Sequence, residues 1–293
     1  MINHQRSNIF NQVDSLPSLP ATVSKVMTVT ADPESSADDL VHAILPDQAM
    51  CATILKIANS AFFGIPHNVA TMEKAVNVLG FNEVHNIILG KAVFNSFKKI
   101  NAQNRHAINN FWYHSFACGL AAKILAGDLG LSASTLFIAG LIHDIGKLAF
   151  FIATPDEYLS ILTLEKTGQI NCHHLEQDTF GIDHGEVGLR LLTRWLFPEC
   201  LVNAVGFHHE PEKCSSHPKQ AIVIQLSDAL SILVKTEDDK NSLLSQISTF
   251  LPGCSKLWQQ YGIEINEENL QKWMDSLKTS LEKDSAILSI FTS

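Results

Sequence analysis

Gly140-Leu141-Ile142-His143-Asp144-Ile145-Gly146-Lys147-Leu148 is the stretch on which the reading of this chain turns. It lies inside the longest apolar run, Leu136 to Ala153, and interrupts it with a histidine, an aspartate and a lysine. A helix in lipid does not carry three such groups near its middle without special reason. The spacing predicts instead a buried helix over 134–153 of a protein outside the membrane. Neighbouring helical residues point about 100° apart, so His143 and Asp144 reach one ion together only from a helix edge. The pair offers a neutral nitrogen and a charged oxygen, and a carboxylate can bridge two ions about 3.5–4 Å apart. Gly146 removes a side chain beside them. Lys147, one turn beyond His143, has the chemistry to hold a phosphate, though a lysine there can equally snorkel to solvent.

Outward from this stretch the pattern stays helical. Alternating β-branched runs bounded by turn residues are nearly absent. Leu16-Pro17-Ser18-Leu19-Pro20 leads into a helix from about Ala21 to Thr30, ended by Asp32-Pro33. Ser35 or Ser36 can cap the next helix, with Asp38 and Asp39 favoured in its first turn by the dipole. Pro46 starts another at its first turn. Met72 to Leu79 stops at Gly80, and Phe81 to roughly Phe97 continues. Lys98 to Arg105 is polar and marks a boundary between residues 1–100, an N-terminal helical lobe, and 101–293, a helical bundle with a C-terminal extension. In the bundle, helices are expected at about Asn110–Leu125, Ser134–Ala153, Pro155–Thr167, His173–Phe180, His184–Trp195, Pro198–Phe207, Pro218–Lys235 and Glu267–Thr292. Glu237 to Ile265 is mixed, broken at Pro252-Gly253. The fold class is all-α, one helical lobe packed on another.

Composition bounds the function. The chain has 293 residues, 46% hydrophobic and 17% charged, which suits a folded protein with a sizeable core. The net charge is −9, with no basic cluster beyond short pairs such as Lys98-Lys99, which argues against a nucleic-acid partner held through a broad basic face. Six cysteines without CxxC spacing fit a reducing compartment, and the N-terminus, MINHQRSNIF, has no apolar core of a secretory signal. The expected location is the cytoplasm, with no membrane partner.

His114, His184, the pair His208-His209 and Asp228 each sit beside an apolar helical segment, like His143 and Asp144. Nitrogen and carboxylate donors scattered over packed helices are how a bundle builds a site for more than one ion. The plainer alternative is a set of unrelated histidines in a chain that has 13. His173 and His174 are read as a solvated helix start, and Asn59-Ser60 as a backbone cap.

His-Asp-Ile-Gly-Lys at 143–147 resembles the signature of the HD superfamily of metal-dependent phosphohydrolases. Leu16-Pro17-Ser18-Leu19-Pro20, Ala58-Asn59-Ser60-Ala61-Phe62-Phe63-Gly64 and Ala75-Val76-Asn77-Val78-Leu79-Gly80 make it more specific. They are similar to patterns of the HD-related output domain (HDOD) family, over roughly residues 10–235. That resemblance implies a bacterial signalling or regulatory module with a protein partner. It makes His114 the first ligand, His143 and Asp144 the central pair, and Asp228 the last. His184, His208 and His209 match further ligands of the HD-GYP branch, which hydrolyses cyclic di-GMP. The implied cofactor is two divalent ions, Fe, Mn, Ni, Zn or Mg. Asp144 would bridge them, with His114, His143 and Asp228 on one and His184, His208 and His209 on the other. Asp144 and Lys147 would be the catalytic groups of the alternative reading, an active phosphohydrolase with a phosphate or nucleotide ligand. Two departures matter. No Gly-Tyr-Pro segment follows the His-His pair, where the chain reads Glu210-Pro211-Glu212-Lys213-Cys214. Asn110 stands where trimetal members carry a glutamate.

Overall fold

Helices begin where the sequence supplies an acceptor for their unpaired amides. Ser36 caps α3 (Ala37–Ile44) in a capping box with Asp39, Asp47 caps α4 (Gln48–Ala58), and Thr71 caps α5 (Met72–Leu79). The computed structural model describes residues 2–98, 105–165, 172–235 and 241–292, and every regular element among them is helical. Pro46 stands just before the α4 cap instead of inside its first turn, because the Asp47 carboxylate accepts from the Met50 N–H at 2.9 Å. The first half is completed by α1 (Ile2–Ser15), α2 (Ala21–Ala31) and α6 (Phe81–Ser96). The polar stretch expected as a boundary falls largely outside the described residues.

The second half runs α7 (Arg105–Leu129), α8 (Ala133–Ile142), α9 (Ile145–Ala153), α10 (Pro155–Glu165), α11 (Cys172–Phe180), α12 (His184–Arg194), α13 (Glu199–Gly206) and, after a short turn at Pro211–Lys213, α14 (Pro218–Leu233). The mixed segment holds α15 (Leu243–Phe250) and α16 (Ser255–Gln260), and α17 (Glu267–Thr292) closes the chain. α7 packs on α8 and α14, α13 bridges α12 and α14, and α12 rests on α9. Gly119 and Gly140 let α7 and α8 approach, since a Cβ on Gly140 would stand 2.7 Å from the Gly119 Cα. The one described stretch long and apolar enough to cross a membrane, Ala133–Ala153, is mostly buried here.

Two further outcomes differ from expectation. The helix expected over 134–153 is two helices, broken at His143-Asp144, where Asp144 takes φ −92° and ψ 11°. The break frees both side chains from the 100° constraint of a continuous helix and lets them face the same space. α1 carries only a weak apolar stripe and is not evident from the sequence. It packs on α9, α11 and α12, with Ile9 and Val13 buried. Asp14 pairs with Arg190, and Arg194 donates to the Val13 and Leu16 carbonyls.

One hydrophobic core runs through both halves. Phe94 of α6 stacks on Trp112 of α7 with ring centroids 3.7 Å apart, and on Phe291 of α17. The buried Lys91 amine donates to the Phe291 carbonyl at 2.9 Å, tying α17 to the N-terminal helices.

Candidate metal centre

His143 and Asp144 come from the α8–α9 break, His114 from α7, His184 from the first turn of α12, His208 and His209 from just after α13, and Asp228 from α14. Gly146 makes the geometry possible. A Cβ there would stand 2.0 Å from the His184 carbonyl oxygen, so α9 meets the start of α12 only because position 146 has no side chain.

The Asp144 carboxylate is 2% exposed and faces two ways. Its Oδ2 lies 3.5 Å from His114 Nε2 and 3.4 Å from His143 Nε2. Its Oδ1 lies 3.1 Å from His184 Nε2 and 3.9 Å from His208 Nε2. Asp228 Oδ1 lies 3.1 Å from His114 Nε2 and 3.6 Å from His143 Nε2. His209 Nε2 is 2.7 Å from His184 Nε2. All seven side chains named from the sequence thus converge. Two compact donor groups result, His114 with His143 and Asp228, and His184 with His208 and His209. Asp144 stands between them.

Four rings are held by their far nitrogens. His143 Nδ1–H donates to the Gly140 carbonyl at 2.8 Å, and His208 Nδ1–H to the Val205 carbonyl at 2.7 Å. Ser231 spends its O–H on the Asp228 carbonyl, so its oxygen accepts from His114 Nδ1–H at 3.1 Å. His184 Nδ1–H donates to Glu176 Oε2 at 2.6 Å. Each bond ties up Nδ1 and leaves Nε2 facing the centre, the usual support of a metal-binding histidine.

The donor set fits a divalent cation. His143 Nε2, His208 Nε2 and Asp228 Oδ1 are buried polar atoms without a hydrogen-bond partner, which a folded protein rarely tolerates. Cis ligands on an ion bound at about 2.1 Å stand about 3 Å apart, close to the spacings seen here. The charges agree. Burial pushes the Asp144 carboxyl up, yet His143, Lys147 and His184 hold it well below the usual carboxylate range. Asp228 behaves likewise, held low by the His114 and His143 rings beside it. Burial opposes a proton on His184, but Glu176 and then Asp144 outweigh it and push that ring up to about 10. His114 rises to about 9 against its burial through Asp144 and Asp228. Burial lowers His208 to about 3, helped by His143 and His184, and carries His209 well below its ordinary value. The buried carboxylates therefore demand positive charge, which metal ions supply more compactly than protons.

Lys147 Nζ lies 2.9 Å from Asp144 Oδ2, at the cluster itself. Asn110 is exposed on α7. Asn59 clamps a loop: its Nδ2 donates to the Leu55 and Val69 carbonyls and its Oδ1 accepts from the Val69 N–H, each at 2.8 Å. Glu176 and Ser231 were not expected at the site from the sequence. They sit eight residues before His184 and three after Asp228, with no local mark of their role. His173, expected in solvent, instead stacks its ring on His209 with centroids 4.1 Å apart.

A helical bundle with a buried His/Asp cluster at a broken helix defines the class. The chain belongs to the HDOD domain family, whose model it matches over residues 16–211. It is 27% identical over 204 residues to an uncharacterized protein of Treponema pallidum (strain Nichols), covering 69% of this chain and 39% of that one. It is 26% identical over 198 residues to a ribonuclease Y of Mesoplasma florum, covering 61% of this chain and 33% of the enzyme. The chain thus spans about two fifths or less of the length of these relatives. Among solved structures, an HDOD domain protein of unknown function from Geobacter sulfurreducens superposes with TM-score 0.74 at 22% identity over 100% of both chains. A protein of Shewanella amazonensis SB2B, provisionally named a phosphohydrolase, gives TM-score 0.76 at 21% identity over 97% of this chain and 98% of that one. At such identities the likeness establishes the shared fold.

Proposed function

We propose that this HDOD protein is a bacterial, cytoplasmic signalling or regulatory module built around two divalent ions. One observation carries the reading: Asp144 presents one oxygen to His114 and His143, beside Asp228, and the other to His184 and His208, beside His209. The first group and Asp144 Oδ2 would hold one ion, and the second group and Asp144 Oδ1 the other. The mixed donors suit Fe, Mn, Ni, Zn or Mg. Two such ions supply Lewis acidity toward a phosphoryl oxygen and activate water. Lys147 would add a cation for a phosphate or nucleotide ligand. Asn110 offers no carboxylate for a third ion. Six free thiols among the described residues suit a reducing compartment. The partner is a signalling protein, reached by contact.

A second reading, a metal-dependent phosphohydrolase, is favoured by the complete donor set and by Lys147 at 2.9 Å from Asp144. Its expected phenotype is slow turnover of generic phosphoesters and weak action on cyclic di-GMP, because the chain carries Pro211 to Ser216 in place of the Gly-Tyr-Pro segment. Elemental analysis of the purified chain, with Asp144→Ala as control, tests the first reading. Two ions in the wild type and none retained by the variant are expected; a metal content equal in both sinks it. A nucleotide and phosphoester panel on the loaded protein separates the readings, since rapid, saturable cleavage of cyclic di-GMP lost in His143→Ala makes the protein an enzyme.

A further inference from the structure

The two halves of the cluster are unequal in charge. Both share Asp144, and the first has a second carboxylate in Asp228. The second, His184 with His208 and His209, has only imidazoles beyond the shared oxygen. A divalent ion held there keeps excess positive charge in a buried setting, which is costly unless a nearby anion compensates it.

Asp183 lies close by, but Glu176 on α11 is the anion that hydrogen-bonds a ring of this half. It is fully buried, and both its oxygens are engaged. Oε2 accepts from the His184 backbone N–H at 2.8 Å and from His184 Nδ1–H at 2.6 Å. Oε1 accepts from the Tyr158 O–H at 2.7 Å and from the Cys172 S–H at 3.3 Å. The other three anchored rings rest on neutral acceptors, the Gly140 and Val205 carbonyls and Ser231 Oγ. A carboxylate behind a ligating histidine fixes the ring and makes its far nitrogen a stronger donor. Cys172, Glu176 and His184 are close enough to suggest an ion site of their own. Their facing atoms, however, are donor–acceptor pairs already satisfied by one another and by Tyr158, so the group works as a relay and not as a further cation site.

We infer that Glu176, anchored by Tyr158 and Cys172, is the positioning residue of the all-histidine half, fixing His184 and lending that half the negative charge its own donors lack. The inference rests on the two-ion reading above. It predicts a selective effect: losing the Glu176 charge weakens the second ion and spares the first. A carboxylate that merely braced α11 against α12 would affect both ions together, through stability.

The test uses the full chain, stripped of metal and titrated with manganese(II). Stoichiometry comes from elemental analysis and calorimetry, and the spin state from electron paramagnetic resonance. Wild type should take up two ions with an exchange-coupled signal. Glu176→Gln, nearly isosteric, should keep one ion, show the signal of isolated manganese, and bind the second about 10–100-fold more weakly. Glu176→Asp should restore part of the second-ion affinity. Wild type binding fewer than two ions overturns the two-ion reading and the inference with it. Two ions bound equally well by wild type and Glu176→Gln overturn the inference alone. If Glu176→Gln does not fold, Tyr158→Phe decides: it removes one anchor and keeps the charge, and should weaken the second ion about threefold or more. Unchanged second-ion affinity in Tyr158→Phe, or an equal loss at both ions, counts against the role.

Discussion

Polar side chains do different work in the two halves of this molecule. Among α2–α5 most of them lie at the surface and serve the backbone: Ser36, Asp47 and Thr71 cap helices, and Asn59 clamps a loop. Around α8–α14 they are buried and serve one another, as His143, Asp144, Glu176, His184 and His208 are each 2% exposed or less. Caps satisfy groups that water would otherwise solvate, so each is worth about 1 kcal/mol. The buried cluster has no such fallback, and its members stand or fall together.

The sharpest test of that contrast is to cut the halves apart. A fragment of residues 1–98 loses the α9, α11 and α12 surface that covers Ile9 and Val13, and the Trp112 and Phe291 rings that cover Phe94. It should show no cooperative unfolding transition by circular dichroism. A transition with the stability of the whole chain would mean the N-terminal helices are an independent domain.

Next is a single methyl group at the site. Gly146→Ala puts a Cβ against the His184 carbonyl, where nothing flexible can yield. Overpacking of this kind costs about 3 kcal/mol or more, and the variant should lose metal along with stability in thermal melts. Gly80 has φ +94° and open space, with nothing within 4 Å of where a methyl group would sit. It should accept alanine for about 1–3 kcal/mol, the cost of the backbone conformation alone, and keep its metal. Equal costs at the two glycines would break the comparison.

A third measurement concerns acid. His85 Nε2 is buried without a partner, and burial lowers that ring to about 4. Its folded value lies below the unfolded one, so the unfolded chain binds more protons between about 6.5 and 4. Stability present above that window should fall as the pH drops through it, by at most about 3 kcal/mol. Denaturant titrations of wild type and His85→Leu at pH 7 and pH 5 give the difference. An identical pH slope in both excludes the residue as a source of acid sensitivity.

The smallest effect is expected at Asn59. Asn59→Ala removes the three bonds that pin Val69 and the end of α4. It should cost about 1–2 kcal/mol and leave metal affinity unchanged. A loss of metal there would tie the N-terminal helices to the site more closely than their contacts imply.

The helical class, most of the helix positions and the seven side chains that cluster were legible in the amino-acid sequence. Apolar periodicity is local, and the HDOD motifs carry their histidines and aspartates at recognisable places. Three features were decided only by the tertiary structure. The break between α8 and α9 at Asp144 arises in an unbroken apolar run with no proline, so nothing local announces it; the close approach of α12 at Gly146 goes with it. α1 has too weak a stripe to stand out and is held by partners far along the chain, Arg190 and Arg194. Glu176 and Ser231 are ordinary polar residues in sequence. Their importance comes from the ring nitrogens they face, a relation that exists only once α11 lies against α12, and α14 against α7.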